Sequence, residues 1–313
     1  MVAIILSSYN GEAYIREQLD SILGQTLPDF RLLIRDDGSS DCTREILADY
    51  AARDPRIRWY AGENIGVQQS FYELLGRVPA RADWIAFADQ DDVWLPRKLE
   101  RALQVLEGER TGVLCSRAAS SDPETEPVLY CGAKQIVDRD LQPIPDAVRI
   151  LVRKLSFGNA LVQNIATGCT CLINRSLANR ILADRPGHAV MHDWWLYLLG
   201  TAFGSVYYDE QPMIRYRQHG DNTAGAMVSA GHLWSYRFRR LFSGQSGIYA
   251  QLAEFARLHG EELQEEDRRR LQRVLETEKS RIGGIAAAMD PQLFRQKRDD
   301  DLVLRLILIL GKL

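Results

Sequence analysis

The chain has 313 residues, of which 46% are hydrophobic and 26% charged, and a formal net charge of −3. That length holds one large α/β domain with an appendage, or two domains. The balanced charge, with no dense basic block, excludes the electrostatic footprint of a nucleic-acid binder.

The elements alternate from the start. Ala3–Ser8 is an apolar run ended by the turn residues Tyr9-Asn-Gly11, and Glu12–Leu23 follows with helical spacing of Tyr14, Ile15, Leu19, Ile22 and Leu23. Phe30–Arg35 reads as a second strand, closed by Asp36-Asp-Gly-Ser-Ser-Asp41. Cys42–Arg53 reads as a helix capped by Ser40 or Asp41. A strand over Arg56–Ala61, the turn Asn64-Ile-Gly66, a helix over Val67–Arg77 and a strand over Trp84–Ala88 complete the pattern. Strand and helix in alternation at these lengths mean parallel βαβ units, so the fold class is α/β. Right-handed crossovers put the loops at Ser7–Gly11, Asp36–Ser39 and Asp89–Asp92 on one sheet edge, where open α/β sheets bind ligands.

Further on, a helix is expected over Arg97–Leu106, strands over Gly112–Ser116 and Ser205–Asp209, and helices over Asn174–Leu182 and His192–Thr201. Loops are expected at 121–127, 139–145 and 218–223. The small residues of Phe157–Leu161 and Thr167–Ile173 allow backbone to approach a ligand closely. Cys169 and Cys171 are expected to share one strand face as small buried side chains. The five cysteines are odd in number and lack CxxC spacing, so neither a zinc site nor a disulfide framework is expected. The N-terminus shows no signal-peptide pattern, and a reducing cytoplasmic setting is expected.

The chemistry concentrates in Phe87-Ala-Asp-Gln-Asp-Asp-Val-Trp94, where Asp89, Asp91 and Asp92 follow a buried strand. Like charges crowded at a strand end need a compensating cation, and hard oxygen donors suit Mg²⁺ or Mn²⁺. Otherwise the triplet is an acidic turn, with Asp92 capping the helix that begins near Pro96.

Taken together, Ser8-Tyr-Asn-Gly11, Asp36-Asp-Gly-Ser-Ser-Asp41, Asn64-Ile-Gly66, Asp89-Gln-Asp-Asp-Val-Trp-Leu-Pro96 and His192-Asp-Trp-Trp195 resemble a family 2 glycosyltransferase of the GT-A fold over residues 1–225. Gly66-Val-Gln-Gln-Ser-Phe71, Thr167-Gly-Cys-Thr170, His192-Asp-Trp-Trp-Leu196 and Tyr216-Arg-Gln-His-Gly220 resemble bacterial rhamnosyltransferases of polysaccharide and O-antigen assembly. The resemblance implies a mixed, mainly parallel sheet flanked by helices in a catalytic domain over 1–228, followed by a helical extension over 229–313. It implies an inverting, metal-dependent transfer from a nucleotide-sugar donor, dTDP-rhamnose or a UDP-sugar, to a glycan or lipid-linked acceptor. Tyr9 would stack on the base, with Ser7, Asn64 and Gln90 nearby. Asp37 would read the base and Asp89 the ribose. Asp91 and His219 would hold Mn²⁺ or Mg²⁺, with Arg215 and Arg217 making the His219 loop anion-facing, and Asp92 would assist or cap. Asp193 would be the base, with His192 the alternative, and Trp194 and Trp195 would stack on acceptor sugars or lie in the core.

Two features depart from the family pattern. Gln68 and Gln69 stand where relatives carry a basic residue, and no Gln-x-x-Arg-Trp motif of a processive synthase is present. A nucleotidyltransferase would carry a glycine-rich phosphate loop with Lys or Arg near the first strand, which residues 6–16 lack. A silent binding module would not need Asp91 or Asp193. The tail reads as amphipathic helices over Leu233–Leu241, Ile248–His259 and Glu262–Arg281. Trp234, Phe238, Leu241 and Phe242, interleaved with Arg237, Arg239 and Arg240, suit membrane-surface contact, docking on the catalytic domain or a homodimer. Leu302–Leu310 is too short to span a bilayer and is interrupted by Arg305.

Overall fold

A computed structural model describes residues 1–116, 125–144, 152–219 and 247–313. Its first part follows the expected alternation: β1 (Val2–Ser8), α1 (Ile15–Leu23), β2 (Phe30–Asp36), α2 (Thr43–Arg53), β3 (Ile57–Ala61), α3 (Val67–Gly76) and β4 (Trp84–Ala88). β2, β1 and β4 run parallel side by side, with Ser8 level with Asp36 and Leu6 level with Ala88. β1 shows why these residues form a central strand. Val2, Ile4 and Leu6 enter the core beneath α1 and α2, while Ala3 and Ile5 enter the core on the opposite side.

Next come β5 (Val93–Trp94), α4 (Lys98–Glu107), β6 (Val113–Cys115), β7 (Val128–Gly132), β8 (Gln135–Val137), α5 (Phe157–Ala160) and β9 (Leu172–Asn174). α6 (Arg175–Asp184), α7 (His192–Phe203), β10 (Ser205–Asp209) and β11 (Ile214–Arg217) follow. The main sheet has eight strands in the order β3-β2-β1-β4-β9-β7-β10-β6, and β5-β11-β8 form a small second sheet. β9 runs antiparallel to both β4 and β7, so the sheet is mixed but mainly parallel. Asn174 caps α6 by accepting the Leu177 N–H at 3.0 Å. For α2 the N-cap residue is Cys42, without a side-chain cap, rather than Ser40 or Asp41, although the Asp41 carboxylate just before it takes the Thr43 N–H at 3.0 Å.

Three further expectations need correction. Residues 168–170 form a 3-10 turn, not strand, so Cys169 and Cys171 enter opposite cores. The helix expected over 262–281 is two, α9 (Glu265–Glu276) and α10 (Arg281–Met289), because Ser280 caps a new start by accepting the Gly283 N–H. Asp92 caps no helix: α4 starts after Arg97 without a side-chain cap, and the β5 strand intervenes.

α8 (Ile248–His259), α9, α10 and α11 (Arg298–Leu310) make up the described C-terminal part. Leu252, Phe255, Leu271, Leu304 and Leu308 share a core with Trp195 and Leu198 of α7. The boundary expected at 228 and the helix expected over 233–241, with Trp234, Phe238, Leu241 and Phe242, lie outside the described residues. Among the described residues no helix is long and apolar enough to cross a membrane, and all five cysteines are free.

Candidate active site

The three polar loops at the strand ends meet and are hydrogen-bonded into one rim. The Tyr9 N–H donates to Gln90 Oε1 (2.8 Å) and Gln90 Nε2 donates to Tyr9 O (3.0 Å), so Gln90 holds the Tyr9 loop and is not a free binding group. A Cβ on Gly11 would collide with that Gln90 amide, which is why the loop needs glycine there. The Asn10 N–H donates to Ser39 Oγ (2.9 Å), joining the first loop to the second. Tyr9 itself is 48% exposed at the cleft mouth, and Asn64 is exposed nearby. Ser7 Oγ donates to Ser70 Oγ at 2.7 Å.

The two aspartates of the second loop do different work. Asp36 is fully buried and accepts from the Ser39 N–H (3.0 Å), the Ser39 hydroxyl and Arg44 Nε (2.8 Å), which makes it a structural turn residue. Asp37 is 2% exposed and accepts from Arg35 and from the Ile65 and Gly66 N–H groups, both at 2.9 Å. Asp37 therefore fixes the Asn64-Ile-Gly66 turn. Oδ2 carries only one of its three donors.

The acidic corner crowds three carboxylates. Asp92 is fully buried; its Oδ1 accepts the Arg217 N–H at 3.0 Å, while Oδ2 takes no N–H or O–H donor. Asp91 Oδ2 lies 2.8 Å from His219 Nε2, and the His219 ring packs on Tyr14 with centroids 4.7 Å apart. Carboxylate oxygens of Asp89 and Asp92 and the Cys169 sulfur all lie within 4.8 Å of one another. Burial, then Asp91 and Asp193, push Asp89 up to about 7, and burial, then Asp89 and Asp91, raise Asp92 well above the usual carboxylate range. A buried carboxylate oxygen that no N–H or O–H reaches, beside two like charges, is a place a cation stabilises. Oxygen donors with one imidazole fit Mn²⁺ or Mg²⁺. Cys169 suits such an ion poorly. Burial and Asp92 raise its pKa well above the usual value, and the protonated thiol hydrogen-bonds to the carboxylates.

Arg217, expected to face an anion, is instead buried beneath this loop. It is 1% exposed, donates to Asp91 O (2.8 Å), and also bonds Arg139 O and the Glu17 carboxylate. Behind the corner the buried Lys98 ammonium sits 3.8 Å over Trp94, and burial brings its pKa down to about 8.

Asp193 stands apart, in the first turn of α7. Its Oδ2 accepts the Gly168 N–H (2.9 Å) and its Oδ1 the Asn164 side-chain N–H (3.0 Å). It is 8% exposed, and burial pushes its pKa up to about 6, near the value wanted in a base working at neutral pH. Lys134 lies between the two corners. Its Nζ donates to Thr167 Oγ1 (3.2 Å) and stacks 3.8 Å from the centre of the Tyr216 ring, and its charge lowers the pKa of both Asp89 and Asp193.

In α7 the structure decides between the alternatives left open for His192, Trp194 and Trp195. His192 is 3% exposed, packed between Phe71 and Phe87 (ring centroids 4.5 and 5.4 Å), and burial brings its pKa down to about 3. It is a neutral core ring, not the alternative base. Trp194 and Trp195 are 7% and 0% exposed, with indole N–H groups committed to Ala160 O (2.7 Å) and Asp184 Oδ2 (3.0 Å), so neither offers a face to a sugar. Lys134, Asn164 and Cys169 were missed as site residues. Nothing in their local sequence marks them, because the loops that carry them reach the site only through the folded sheet.

Residues 3–130 match the family model described as glycosyl transferase family 2. A dTDP-rhamnosyl transferase, RfbG of Shigella flexneri, is 28% identical over 235 residues, covering 72% of this chain and 75% of that protein. The structure of S. aureus TarS 1-349 in complex with UDP-GlcNAc is similar with a TM-score of 0.57 at 16% identity, covering 93% of this chain and 78% of that chain. The mannosyltransferase PcManGT from Pyrobaculum calidifontis, in complex with GDP-Man and Mn²⁺, is similar with a TM-score of 0.51 at 17% identity, covering 99% of this chain and 85% of that one. At such identities these two likenesses are of fold.

Proposed function

We propose that this chain, whose residues 3–130 match the family 2 glycosyltransferase model and whose fold is that of the GT-A enzymes, is a glycosyltransferase of that family and transfers L-rhamnose from dTDP-rhamnose to a hydroxyl of a glycan or lipid-linked saccharide in cell-surface polysaccharide assembly. One observation carries the mechanism: a cation-seeking acidic corner and a single raised-pKa carboxylate stand apart on the same sheet edge, with a lysine between them. A double displacement would need a nucleophile as well as a base. A single displacement needs only the base.

In this reading Tyr9 stacks on the thymine or uracil, with Ser7, Asn64 and Gln90 shaping that end of the cleft and Asp37 accepting the base N–H through Oδ2. Asp89 accepts the ribose hydroxyls, its backbone oxygen held by Gln18 Nε2 at 2.7 Å. Asp91 and His219 would hold Mn²⁺ or Mg²⁺, which when bound would supply Lewis-acid charge to the leaving diphosphate. Asp193 accepts the proton of the acceptor hydroxyl as its oxygen attacks the anomeric carbon. The carbon–oxygen bond to the diphosphate breaks, and its electron pair stays on the phosphate oxygen. Lys134, anchored on Thr167 and Tyr216, faces the charge that grows there. One inversion turns a β-linked donor into an α-rhamnoside. The rhamnose assignment is supported by the Shigella flexneri relative.

The test is turnover across a panel of dTDP-, UDP- and GDP-sugars with Mn²⁺, Mg²⁺ or EDTA, beside Asp91→Ala and Asp193→Ala. Turnover of dTDP-rhamnose that EDTA and both variants abolish is the expected result. Turnover of UDP-hexoses alone would keep the reaction and discard rhamnose. Metal-independent turnover, or full activity in either variant, would overturn the mechanism.

A further inference from the structure

We propose that the outward face of the last two helices pairs with the same face of a second copy of this chain. This inference is independent of the catalytic reading. α10 and α11 lie antiparallel in close contact: a Cβ on Gly284 would stand 3.1 Å from Ile309 Cα, and Arg305 donates to Ala288 O (2.6 Å) and Asp290 O (2.9 Å). Gly284, Ala287, Leu304, Ile307 and Leu308 are buried on the inner side. Outward, α10 shows Ile282, Ile285 and Met289 at 81%, 49% and 78% exposure. α11 shows Leu302, Leu306, Ile309 and Leu310 at 67%, 61%, 37% and 62%. Each set has the i, i+3/i+4, i+7 spacing of one helix stripe. Apart from Tyr9 and Ile65 at the cleft, these are all the large apolar side chains that the described residues expose. Together they offer on the order of 700 Å², above what a monomer usually leaves uncovered and close to the roughly 800 Å² each partner gives to a standard interface.

Charge selects the occupant. A surface that docks on anionic lipid is flanked by Lys and Arg without carboxylates among them, whereas here exposed Lys279, Arg281, Arg298 and Lys312 are interspersed with exposed Glu278 and Asp299, and Asp300 and Asp301 share the first turn of α11. Anionic headgroups would meet those carboxylates. A second copy accommodates them. With a twofold axis running across the helices, each helix packs antiparallel on its mate, and the acidic start of α11 at Asp299 comes over the mate's end at Lys312. Opposed helix dipoles favour the same arrangement. The product is a four-helix arrangement with both apolar faces enclosed.

Sedimentation velocity and light scattering of the full chain from about 1 to about 100 μM test the proposal. A dimer mass is expected. The double variant Ile282→Glu, Leu306→Glu should weaken association by about 100-fold or more. Its circular dichroism and Tm should match the parent, since both side chains are exposed. Asp299→Lys should weaken association, and adding Lys312→Glu should restore it. A monomer at every concentration, or a dimer indifferent to the Glu pair, would overturn the proposal. So would a monomer whose binding to anionic phospholipid vesicles is lost in that pair, which would make lipid the occupant.

Discussion

Replacing Asp193 with Asn should make the protein more stable and nearly inactive. Burial pushes this carboxyl up to about 6 from an ordinary 3.8, overcoming the Gly168 N–H, the Trp194 N–H, Lys134 and Asn164, which all favour the ionised form. The native state therefore holds the proton more tightly than the unfolded chain. Below pH 3.8 both states are protonated and there is no penalty. As pH rises the unfolded chain loses its proton first, so the penalty grows between about 4 and about 6 and is complete above that. That difference amounts to about 3 kcal/mol at neutral pH. Asn cannot ionise, but its NH₂ must face one of the two donors, which offsets about 1 kcal/mol. Asp193→Asn should thus gain about 2 kcal/mol at pH 8, and that gain should be gone by about pH 4.5. Transfer should fall by about 10²- to 10⁴-fold. Urea unfolding of both proteins at the two pH values, with a transfer assay, reads all three quantities. A variant no more stable than its parent at pH 8, with the difference unchanged at low pH, would refute a penalised carboxylate.

Other variants test the remaining parts of the site. Asp91→Ala and His219→Ala should each remove the Tm rise that Mn²⁺ with nucleoside diphosphate gives the parent, an effect of about 2.7 kcal/mol at a hundredfold excess over Kd; calorimetric titration would check the lost affinity directly. Lys134→Met should lower kcat by about 10- to 100-fold with donor KM little changed, and Lys134→Arg should recover part of it, because the charge is used as the bond breaks. An unchanged kcat would remove Lys134 from the mechanism. Trp195→Ala should cost about 3–5 kcal/mol of stability by opening a core cavity. Trp194→Phe should cost only about 1 kcal/mol and leave acceptor KM unchanged; a raised acceptor KM at normal Tm would return that ring to the sugar site.

How far the site could be read from sequence follows from how local each signal is. β1 to β4 were legible because every strand sits beside its own helix in the chain and shows its own periodicity. The convergence of the Tyr9, Asp36 and Asp89 loops followed from parallel βαβ topology alone. The small sheet was not legible. Val93–Trp94 pairs with Ile214–Arg215, and Arg215–Arg217 pairs with Gln135–Val137, so no local pattern announces the strands. Arg217 suffered the same way: beside Arg215 and His219 it looked ligand-facing, whereas its partners Asp91, Arg139 and Glu17 come from three distant segments. Trp194 and Trp195 stayed open between a sugar site and the core, because an aromatic pair beside a candidate base suits either. α7 is buried along most of its length, which a short motif does not reveal.

Gln90 ties two tasks together. It stands between Asp89 and Asp91, yet both of its side-chain bonds go to the backbone of Tyr9. A shift that drew Asp91 onto a cation would therefore move the platform on which the base would rest, and a base settling on Tyr9 would pull the carboxylates toward one arrangement. Such a link is reciprocal: whatever factor the cation adds to nucleotide affinity, the nucleotide must add to cation affinity. Cation and nucleotide would then load cooperatively, and the linkage would run through one amide side chain.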